Sequence, residues 1–431
     1  MKIISFLGLG SYQVTRYENP QKDKIYETKY YQEALAEFYK PESLYVFLTQ
    51  KVENICPTKF EELPEEGGKF VRIKEDKSNW VQLQESFKAK FPKIKLIPVQ
   101  NIPERNTPED IWTIFNKVNE CLEDDDEVIF DITHSFRSVP IVALLAVSYF
   151  RVVRKITIKG LLYGAFEARE NDITPTFNLL PVVRLFDWLT ATDQFLKTGN
   201  GNDLAELLKE AGGHTEALGN RILEISQGLQ LLRPMDVMIA AEALPHDIEQ
   251  SKPYLAIVVP PFEMLLKRVI DEYGQFALAE PTNYQENGKA ALQKQLFEIE
   301  WYAKKGLDVQ ALSLAREWLP SLLCYHFELD PMDKQAREDM EFLLSGGVWK
   351  DKETKEILKE SEYLQQWKGI EDQKRKPVAQ VWGGGFHLAN LRNDVLHSGF
   401  RKSPKTVKQI EETLQQIIDK LNEIAIAWGI I

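Results

Sequence analysis

Cysteine is scarce in this chain of 431 residues. The three cysteines, Cys56, Cys121 and Cys324, are an odd number and are spread over the whole length. None of the spacings between them resembles a zinc site or a redox pair, so no disulfide framework and no structural metal is predicted. This pattern is typical of a protein in a reducing compartment.

Long hydrophobic runs are also absent. No stretch approaches the ~20 apolar residues that a helix needs to cross a bilayer. The apolar start, Met1–Gly8, is too short for a signal peptide, and polar residues and glycines follow it. We therefore interpret this segment as a first buried strand, and expect a cytoplasmic protein with no membrane partner.

Basic residues are fewer than acidic ones. The chain has 53 Lys and Arg and 65 Asp and Glu, which gives a net charge of −12. Binding to long nucleic acids rewards clustered basic residues, so this balance argues against a stable DNA partner and leaves room only for a small basic site. The sequence has no G-x-S-x-G, H-E-x-x-H or P-loop motif. Asp124–Asp126 is interpreted as an acidic turn before a strand, so neither a metal nor a cofactor is predicted.

Strand and helix signals alternate through residues 1–184. Short apolar runs such as Ile3–Leu7, Leu44–Leu48 and Val128–Ile132 are typical of buried strands. Amphipathic helices separate them, including one that Pro108 opens with Thr107 as its cap. This alternation predicts a Rossmann-like domain with a mainly parallel sheet covered on both faces. Further strands are predicted at Lys155–Ile158, Leu161–Phe166 and Thr176–Leu179.

Helical periodicity dominates after residue 184, so the predicted fold class is α/β followed by all-α. We divide this part into a helical connector, residues 185–290, and a C-terminal helical domain, residues 291–431, with a boundary in the polar stretch Glu280–Lys289. The last helix has the clearest pattern, because apolar residues recur every three or four positions from Val407 to Trp428. The charge-rich stretch Lys350–Glu362 is interpreted as the solvated face of a helix.

Two loops at predicted strand ends have the chemistry of a phosphate site. The loop after the first strand contains glycines, which allow a ligand to approach the backbone closely. The loop after Val128–Ile132 precedes a helix, whose free amides and dipole favour an anion. In an open parallel sheet, both loops belong to the edge where ligands bind. The residues that they offer are Gly8, Gly10, Ser11, Thr133, His134, Ser135 and Arg137.

These loops admit two other interpretations. A dinucleotide site fails because Gln13 occupies the position of the third glycine in G-x-G-x-x-G. A purely structural loop, in which Ser138 caps the following helix and nearby amides satisfy Asp131, remains open.

An arginine and a histidine lie close together near the C-terminus. Arg392 and His397 are five residues apart, and Asn393 directly follows the arginine. RNA can be cleaved without a metal because its own 2′-hydroxyl attacks the phosphorus, while histidine moves protons and arginine stabilises the phosphorane. Asn393 would orient the imidazole or contact the phosphate. A small basic patch suited to the RNA backbone follows at Arg401, Lys402 and Lys405.

By itself, the spacing of Arg392 and His397 is weak evidence for a catalytic site. A surface helix with a solvated arginine and a capping histidine is the competing interpretation. Arg392 and His397 do not share one face of an ideal helix, and a site shared between two subunits would relax that constraint.

With both motifs identified, the chain resembles the CRISPR-associated CARF–HEPN ribonucleases of type III systems. Asp131–Arg137 is similar to the D-x-T-H-x-x-R signature of one CARF branch, and Phe6–Gly10 to the first strand and loop of that branch. Arg392–His397 matches the HEPN motif R-x(4–6)-H, including the polar residue after the arginine. The CARF resemblance covers about residues 1–184, and the HEPN resemblance is specific around residues 383–400.

The resemblance implies a homodimer, or a higher even oligomer, whose paired CARF domains bind a cyclic oligoadenylate, with cyclic tetra-adenylate as the expected ring. Binding would activate a composite endoribonuclease site, built from Arg392 and His397 of both subunits, that cleaves single-stranded RNA without a metal in antiviral defence. The strand-end residues named above would contact the activator. Thr49 and Gln50, after the second strand, are looser matches.

Two further functions stay open. A non-catalytic sensor would bind the cyclic oligonucleotide and relay the signal to a partner or to DNA, with Arg392 and His397 facing solvent. Alternatively, the CARF domain would itself degrade the cyclic oligoadenylate.

Overall fold

The structure, a computed structural model, describes residues 1–63, 69–105, 107–134, 139–400 and 402–431. The chain divides into two compact units, Met1–Phe186 and Asp187–Ile431. This division lies close to the expected boundary at residue 184. The further division at residue 290 stays a prediction.

The N-terminal unit contains ten strands and five complete helices within the described residues. The strands are β1 (Lys2–Phe6), β2 (Thr15–Glu18), β3 (Ile25–Thr28), β4 (Ser43–Thr49), β5 (Thr58–Leu63), β6 (Lys69–Lys74), β7 (Lys95–Ile102), β8 (Glu127–Asp131), β9 (Thr157–Gly164) and β10 (Ile173–Asn178). The helices are α1 (Tyr31–Tyr39), α2 (Gln50–Asn54), α3 (Asn79–Lys90), α4 (Pro108–Cys121) and α5 (Val139–Val153).

Eight strands form one sheet in the order β3-β2-β10-β9-β8-β1-β4-β7, and β5 pairs with β6 in a separate hairpin. The five strands β9, β8, β1, β4 and β7 run parallel to one another. β10 returns antiparallel to β9. The predicted Rossmann-like, mainly parallel sheet is therefore confirmed.

Both faces of this sheet are covered, which explains why its central strands have apolar side chains on both sides. Ile4 and Phe130 belong to a buried cluster on one face, and their neighbours Ile3 and Ile129 belong to a cluster on the other. Successive side chains of a strand point to opposite faces, so a sheet between two helical layers favours runs of consecutive apolar residues in its strands.

Several predicted elements of the N-terminal unit agree closely with the structure. The helix Tyr31–Tyr39 has the predicted bounds. Thr107 caps α4 by accepting from the Asp110 amide, with Pro108 in the first turn. The prediction of two strands at Lys155–Ile158 and Leu161–Phe166 is wrong, because a single strand, β9, continues through Lys159 and Gly160 by means of an irregularity in its pairing with β8.

The C-terminal unit is helical apart from one hairpin within the described residues. Its helices, the first of which starts in the N-terminal unit, are α6 (Leu180–Thr198), α7 (Asn202–Ala211), α8 (Thr215–Gln230), α9 (Pro234–Val258), α10 (Glu263–Tyr273), α11 (Tyr284–Lys304), α12 (Asp308–His326), α13 (Lys334–Leu344), α14 (Leu364–Gly369), α15 (Asp372–Trp382), α16 (Leu388–Leu396) and α17 (Val407–Ala427). The bounds of α17 confirm the strongest helical prediction.

The hairpin corrects the prediction of a solvated helix at Lys350–Glu362. Strands β11 (Val348–Lys350) and β12 (Ile357–Glu360) pair antiparallel instead. Asp351 starts the intervening turn, because its Oδ1 accepts from the amides of Glu353 and Thr354, both at 2.8 Å. An aspartate that satisfies backbone amides two and three residues later favours a turn over a helix interior.

No helix among the described residues is both long enough and apolar enough to cross a bilayer.

Candidate functional site

The carboxyl ends of β1, β4 and β8 lie at one edge of the sheet, because β1 pairs in parallel with both of the others. The loops that follow these strands are therefore neighbours. The carbonyl oxygen of His134 lies 3.4 Å from the position that a Cβ would take on Gly8. The structure thus brings together the glycine loop and the loop after β8, two parts of the predicted ligand site.

Asn79 and Tyr12 hold the glycine loop in place. Asn79 Nδ2 donates to the carbonyls of Gly8 at 3.0 Å and of Gly10 at 2.8 Å. The Gly8 amide donates to the Tyr12 hydroxyl at 2.8 Å, and the Tyr12 ring lies 4.3 Å from the His134 ring, centroid to centroid. A Cβ on Gly8 would lie 2.9 Å from the Tyr12 hydroxyl, so this close approach requires glycine. The Gly8 amide is therefore occupied by the chain itself.

Asp131, the last residue of β8, holds the start of the following loop through hydrogen bonds to its carboxylate. Its buried carboxylate accepts from Ser5 Oγ at 2.5 Å and from the Thr133 amide at 2.8 Å. Ser5 Oγ in turn accepts from Gln32 Nε2 at 2.9 Å. Burial raises the pKa of Asp131 to about 6, although the hydrogen bonds from Ser5 and Thr133 act in the opposite direction. The carboxylate is thus mainly ionised near neutral pH, and its bonds fix the direction in which the loop leaves the strand.

His134 presents a neutral imidazole to the strand-end site. Burial lowers the pKa of His134 to about 4, which Glu167 opposes only in part. The buried Nε2 atom has no hydrogen-bond partner among the residues that the structure describes. The imidazole at this edge of the sheet is therefore neutral near pH 7, rather than carrying the positive charge that the sequence left open.

Two of the predicted ligand residues have hydrogen bonds within the fold. The Thr133 hydroxyl oxygen accepts from the Gly164 amide at 2.8 Å and so ties the loop to β9. The Thr49 hydroxyl accepts from the Val52 amide at 3.3 Å and caps α2. Both oxygens have a structural task, whatever else they contact.

The other predicted ligand residues divide into exposed and undescribed ones. Ser11 is exposed, with a long 3.5 Å contact to Glu75, and Gln50 is the exposed first residue of α2. Ser135 and Arg137 lie outside the described residues.

Four residues of this site were not among those predicted: Tyr12, Asn79, Ser5 and Gln32. Tyr12 was detectable in principle, because it lies within the glycine loop. Asn79 follows Gly8 by 71 positions, and nothing in its surroundings indicates that it bonds there. Such contacts follow from the packing of α3 against the sheet.

The second predicted site lies at the C-terminal end of α16. Leu388, Leu391 and Asp394 are buried at a helical spacing, so this face of α16 packs into the unit. The remaining faces carry the residues of the predicted reactive group.

Arg392 and Asn393 are half-buried and bonded to each other. Arg392 Nη1 donates to Asn393 Oδ1 at 3.2 Å, while Arg392 Nε is buried and has no partner among the described residues. His397 is exposed at the end of the helix, where its amide donates to the Asn393 carbonyl at 2.9 Å. Five residues correspond to ~140° about a helix axis, so Arg392 and His397 belong to different sides of α16. The Asn393 side chain orients the arginine in this structure.

The chain reverses direction directly after His397. Ser398 and Gly399 have positive φ values of 54° and 72°, and the Phe400 amide donates to the His397 carbonyl at 3.0 Å. Two successive left-handed residues end the helix and turn the chain back beside the histidine.

The end of this loop is tied to α16. The Lys405 amide donates to Asp394 Oδ2 at 3.0 Å. Lys402 and Lys405 are exposed, as a basic patch for a phosphate backbone requires, and Arg401 lies outside the described residues. No group of three or more His, Cys, Asp or Glu arranged to hold a metal ion occurs among the described residues.

Comparison with known proteins indicates the class to which the N-terminal unit is similar. Residues 2–167 match the family model of the CARF domain of the CRISPR system endoribonuclease Csx1. Residues 184–281 match the second domain of the CRISPR-associated protein MJ1674. These matches support a CARF domain of a CRISPR-associated protein in the N-terminal part of the chain.

Individual relatives give a narrower comparison. The CRISPR-associated protein MJ1674 of Methanocaldococcus jannaschii is 27% identical over 143 residues, which cover 30% of this chain and 22% of that protein. The chain therefore matches less than a quarter of the relative's length. The structure of Enterococcus italicus Csm6 bound to cyclic hexa-2′-fluoro-hexa-dAMP aligns with 99% of this chain and 94% of its own, at 10% identity and a TM-score of 0.49.

Proposed function

We propose that this chain is an endoribonuclease that a cyclic oligoadenylate activates and that cleaves single-stranded RNA without a metal, in type III CRISPR antiviral defence. One observation carries the proposal. The segment that matches the CARF family places the glycine loop and the loop after β8 side by side, with the Gly8 backbone against that of His134.

The activator would bind at this edge of the sheet. Backbone amides of the two loops and the N-terminus of α5 suit phosphate groups, and the neutral His134 and exposed Ser11 suit ribose or base atoms. A cyclic oligoadenylate with an even number of nucleotides has twofold symmetry. A homodimer offers two copies of the same loops about a twofold axis, so its symmetry matches that of the ring.

The RNA would be cleaved at the end of α16. One copy of His397 takes the proton of a 2′-hydroxyl, whose oxygen attacks the adjacent phosphorus. The P–O5′ bond then breaks, the leaving oxygen takes a proton from water, and the protonated imidazole returns its proton to the solvent, which gives a 2′,3′-cyclic phosphate and a 5′-hydroxyl. Arg392, oriented by Asn393, stabilises the extra negative charge of the phosphorane. Lys402 and Lys405 hold the flanking phosphates.

Cleavage of labelled single-stranded RNA in EDTA, with and without cyclic tetra- or hexa-adenylate, tests the proposal. We expect cleavage only with an activator, and a loss of kcat of about 10²–10⁴-fold in His397→Asn and in Arg392→Ala. His387→Asn is the matched control, because His387 is an exposed histidine at the other end of the same helix, in a left-handed conformation that asparagine tolerates.

Three outcomes contradict the proposal. Activity that survives His397→Asn would remove the histidine from the reaction, and activity that EDTA abolishes would indicate a metal. Tight binding of the cyclic nucleotide without any RNA cleavage would instead favour the non-catalytic sensor.

A further inference from the structure

Phe400 has the most exposed side chain among the large apolar residues that the structure describes. Its exposed fraction is 91%. Burial of a phenylalanine side chain is a substantial source of hydrophobic stabilisation, and this fold forgoes it at Phe400. Single exposed apolar residues are common, so the surroundings of this one decide whether it has a task.

The backbone holds Phe400 next to the proposed catalytic histidine. Its amide donates to the His397 carbonyl at 3.0 Å. The turn that places it there includes Ser398 at φ 54°, a left-handed conformation that is unfavourable for a residue with a Cβ. The 3.0 Å bond from the Lys405 amide to Asp394 closes the loop at its other end. The aromatic ring is therefore attached to a fixed turn rather than to a free segment.

The residues around Phe400 suit a nucleic acid strand better than a protein. Glycine and serine precede it, and Arg401, Lys402 and Ser403 follow it in the sequence. Protein interfaces bury contiguous apolar surface with few lysines, whereas single-stranded nucleic acid sites combine basic residues along the backbone with aromatic rings for the bases. Because the chain as a whole has a net charge of −12, the adjacent basic residues Arg401 and Lys402 differ from its average composition.

We infer that Phe400 is an RNA-binding residue whose ring stacks on a nucleobase beside the scissile phosphate. The inference rests on the proposed function, since it places the substrate at His397. Stacking is available to every base, so Phe400 holds the strand in register without demanding a particular sequence. It acts on binding of the ground state and the transition state alike, so its loss raises KM and leaves kcat nearly unchanged.

Four variants of the full-length protein test this role with a short fluorescein-labelled single-stranded RNA of mixed sequence. Phe400→Ala removes the ring, Phe400→Leu keeps an apolar side chain without the ring, and Phe400→Tyr keeps the ring. Trp349→Ala is the control, because Trp349 is an aromatic residue of the same unit with an exposed fraction of 62%. We expect KM to rise about tenfold in Phe400→Ala and nearly as much in Phe400→Leu, with kcat within about twofold. Phe400→Tyr and Trp349→Ala should match the unsubstituted protein.

Binding without turnover separates this inference from the proposed function. Fluorescence anisotropy with the same RNA is measured in a His397→Asn background, with light scattering for the molar mass. If the protein with an intact His397 cleaves no RNA, but Phe400→Ala still weakens binding about tenfold in the His397→Asn background, the proposed reaction fails and the stacking role stands. Unchanged KM and affinity in Phe400→Ala, equal performance of leucine and phenylalanine, or a fall in molar mass on substitution would each overturn the stacking role. The last result would identify Phe400 as a contact between subunits.

Discussion

Asp131 and His134, three residues apart, respond to burial in opposite directions. Burial raises the pKa of Asp131 from 3.8 to about 6 and lowers the pKa of His134 from 6.5 to about 4. The folded state thus favours protonated Asp131. The stability that this protonation contributes is fully present below about pH 4 and is lost as the pH rises through about 6. The contribution of neutral His134 is complete above about pH 6.5 and is lost as the pH falls through about 4.

We expect single substitutions to expose these opposing contributions. We consider the free energy of unfolding of Asp131→Asn minus that of the original protein. This difference should increase by up to about 3 kcal/mol as the pH rises from about 4 to about 6.5. For His134→Gln, the same difference should increase by a similar amount as the pH falls from about 6.5 to about 4. Urea unfolding across this range, reported as the difference between variant and original protein, measures both slopes. Slopes of the same sign would contradict the assignment.

The Tyr12 hydroxyl also makes a prediction at this scale. It accepts the hydrogen bond of the Gly8 amide, which a phosphate oxygen of the proposed activator would need. Tyr12→Phe keeps the ring against His134 and frees the amide. Because one neutral hydrogen bond is worth about 1 kcal/mol, we expect cyclic tetra-adenylate to bind about fivefold more tightly.

Isothermal titration calorimetry measures this change. Tyr163→Phe is the control, since its hydroxyl bonds to Glu167 in the same unit. Weaker binding in Tyr12→Phe would show instead that the hydroxyl contacts the ligand directly.

Helix α17 begins immediately after the loop that carries Phe400 and Lys405, so its N-terminus limits how far that loop can move. Thr406 and Gln409 form a capping box, with the Gln409 amide donating to Thr406 Oγ1 at 3.3 Å and the Thr406 amide donating to Gln409 Oε1 at 3.0 Å. These bonds satisfy two amides that have no partner within the helix.

Loss of this cap should destabilise the C-terminal unit. We expect Thr406→Ala to lower the free energy of unfolding by about 1 kcal/mol. Thr413→Ala is the matched control, because Thr413 lies inside α17 and its hydroxyl only bonds back to the Gln409 carbonyl. Urea unfolding distinguishes them: an equal loss in both variants would assign the effect to threonine in general rather than to the cap.

The elements that sequence analysis did not identify share a physical cause. β2 and β3 are short and partly polar, and β2 is stabilised by pairing with β10, as in the buried hydrogen bond between Thr15 and Thr174, which are 159 positions apart. Local periodicity cannot report a partner so distant. Helices such as α1 and α17 were predicted because their hydrogen bonds and apolar faces are contained within the segment itself.

The proposed reaction requires two subunits, which makes a prediction for the whole molecule. Arg392 and His397 belong to different sides of α16, so the proposed site takes an arginine from one subunit and a histidine from the other. Arg392→Ala and His397→Asn homodimers should each be inactive. When the two variants are co-expressed with different tags and purified through both, the mixed dimer retains one residue of each kind.

We expect this mixed dimer to recover measurable activator-dependent RNA cleavage. Light scattering confirms that its molar mass corresponds to a dimer. If the doubly tagged dimer remains as inactive as either parent, an Arg392 in one subunit and a His397 in the other do not form a working site. The composite site as proposed is then wrong.

The amino-acid pattern alone determined the layered α/β architecture, the helical character of the remainder, and the two segments with reactive or phosphate-binding chemistry. These features depend on periodicity, capping and residue type, all of which are local along the chain. Packing determined the rest: that Asn79 holds the glycine loop, that Tyr12 occupies the Gly8 amide, and that burial leaves His134 neutral. Hydrogen-bond partners and desolvation arise only where distant segments meet, so no local pattern contains them.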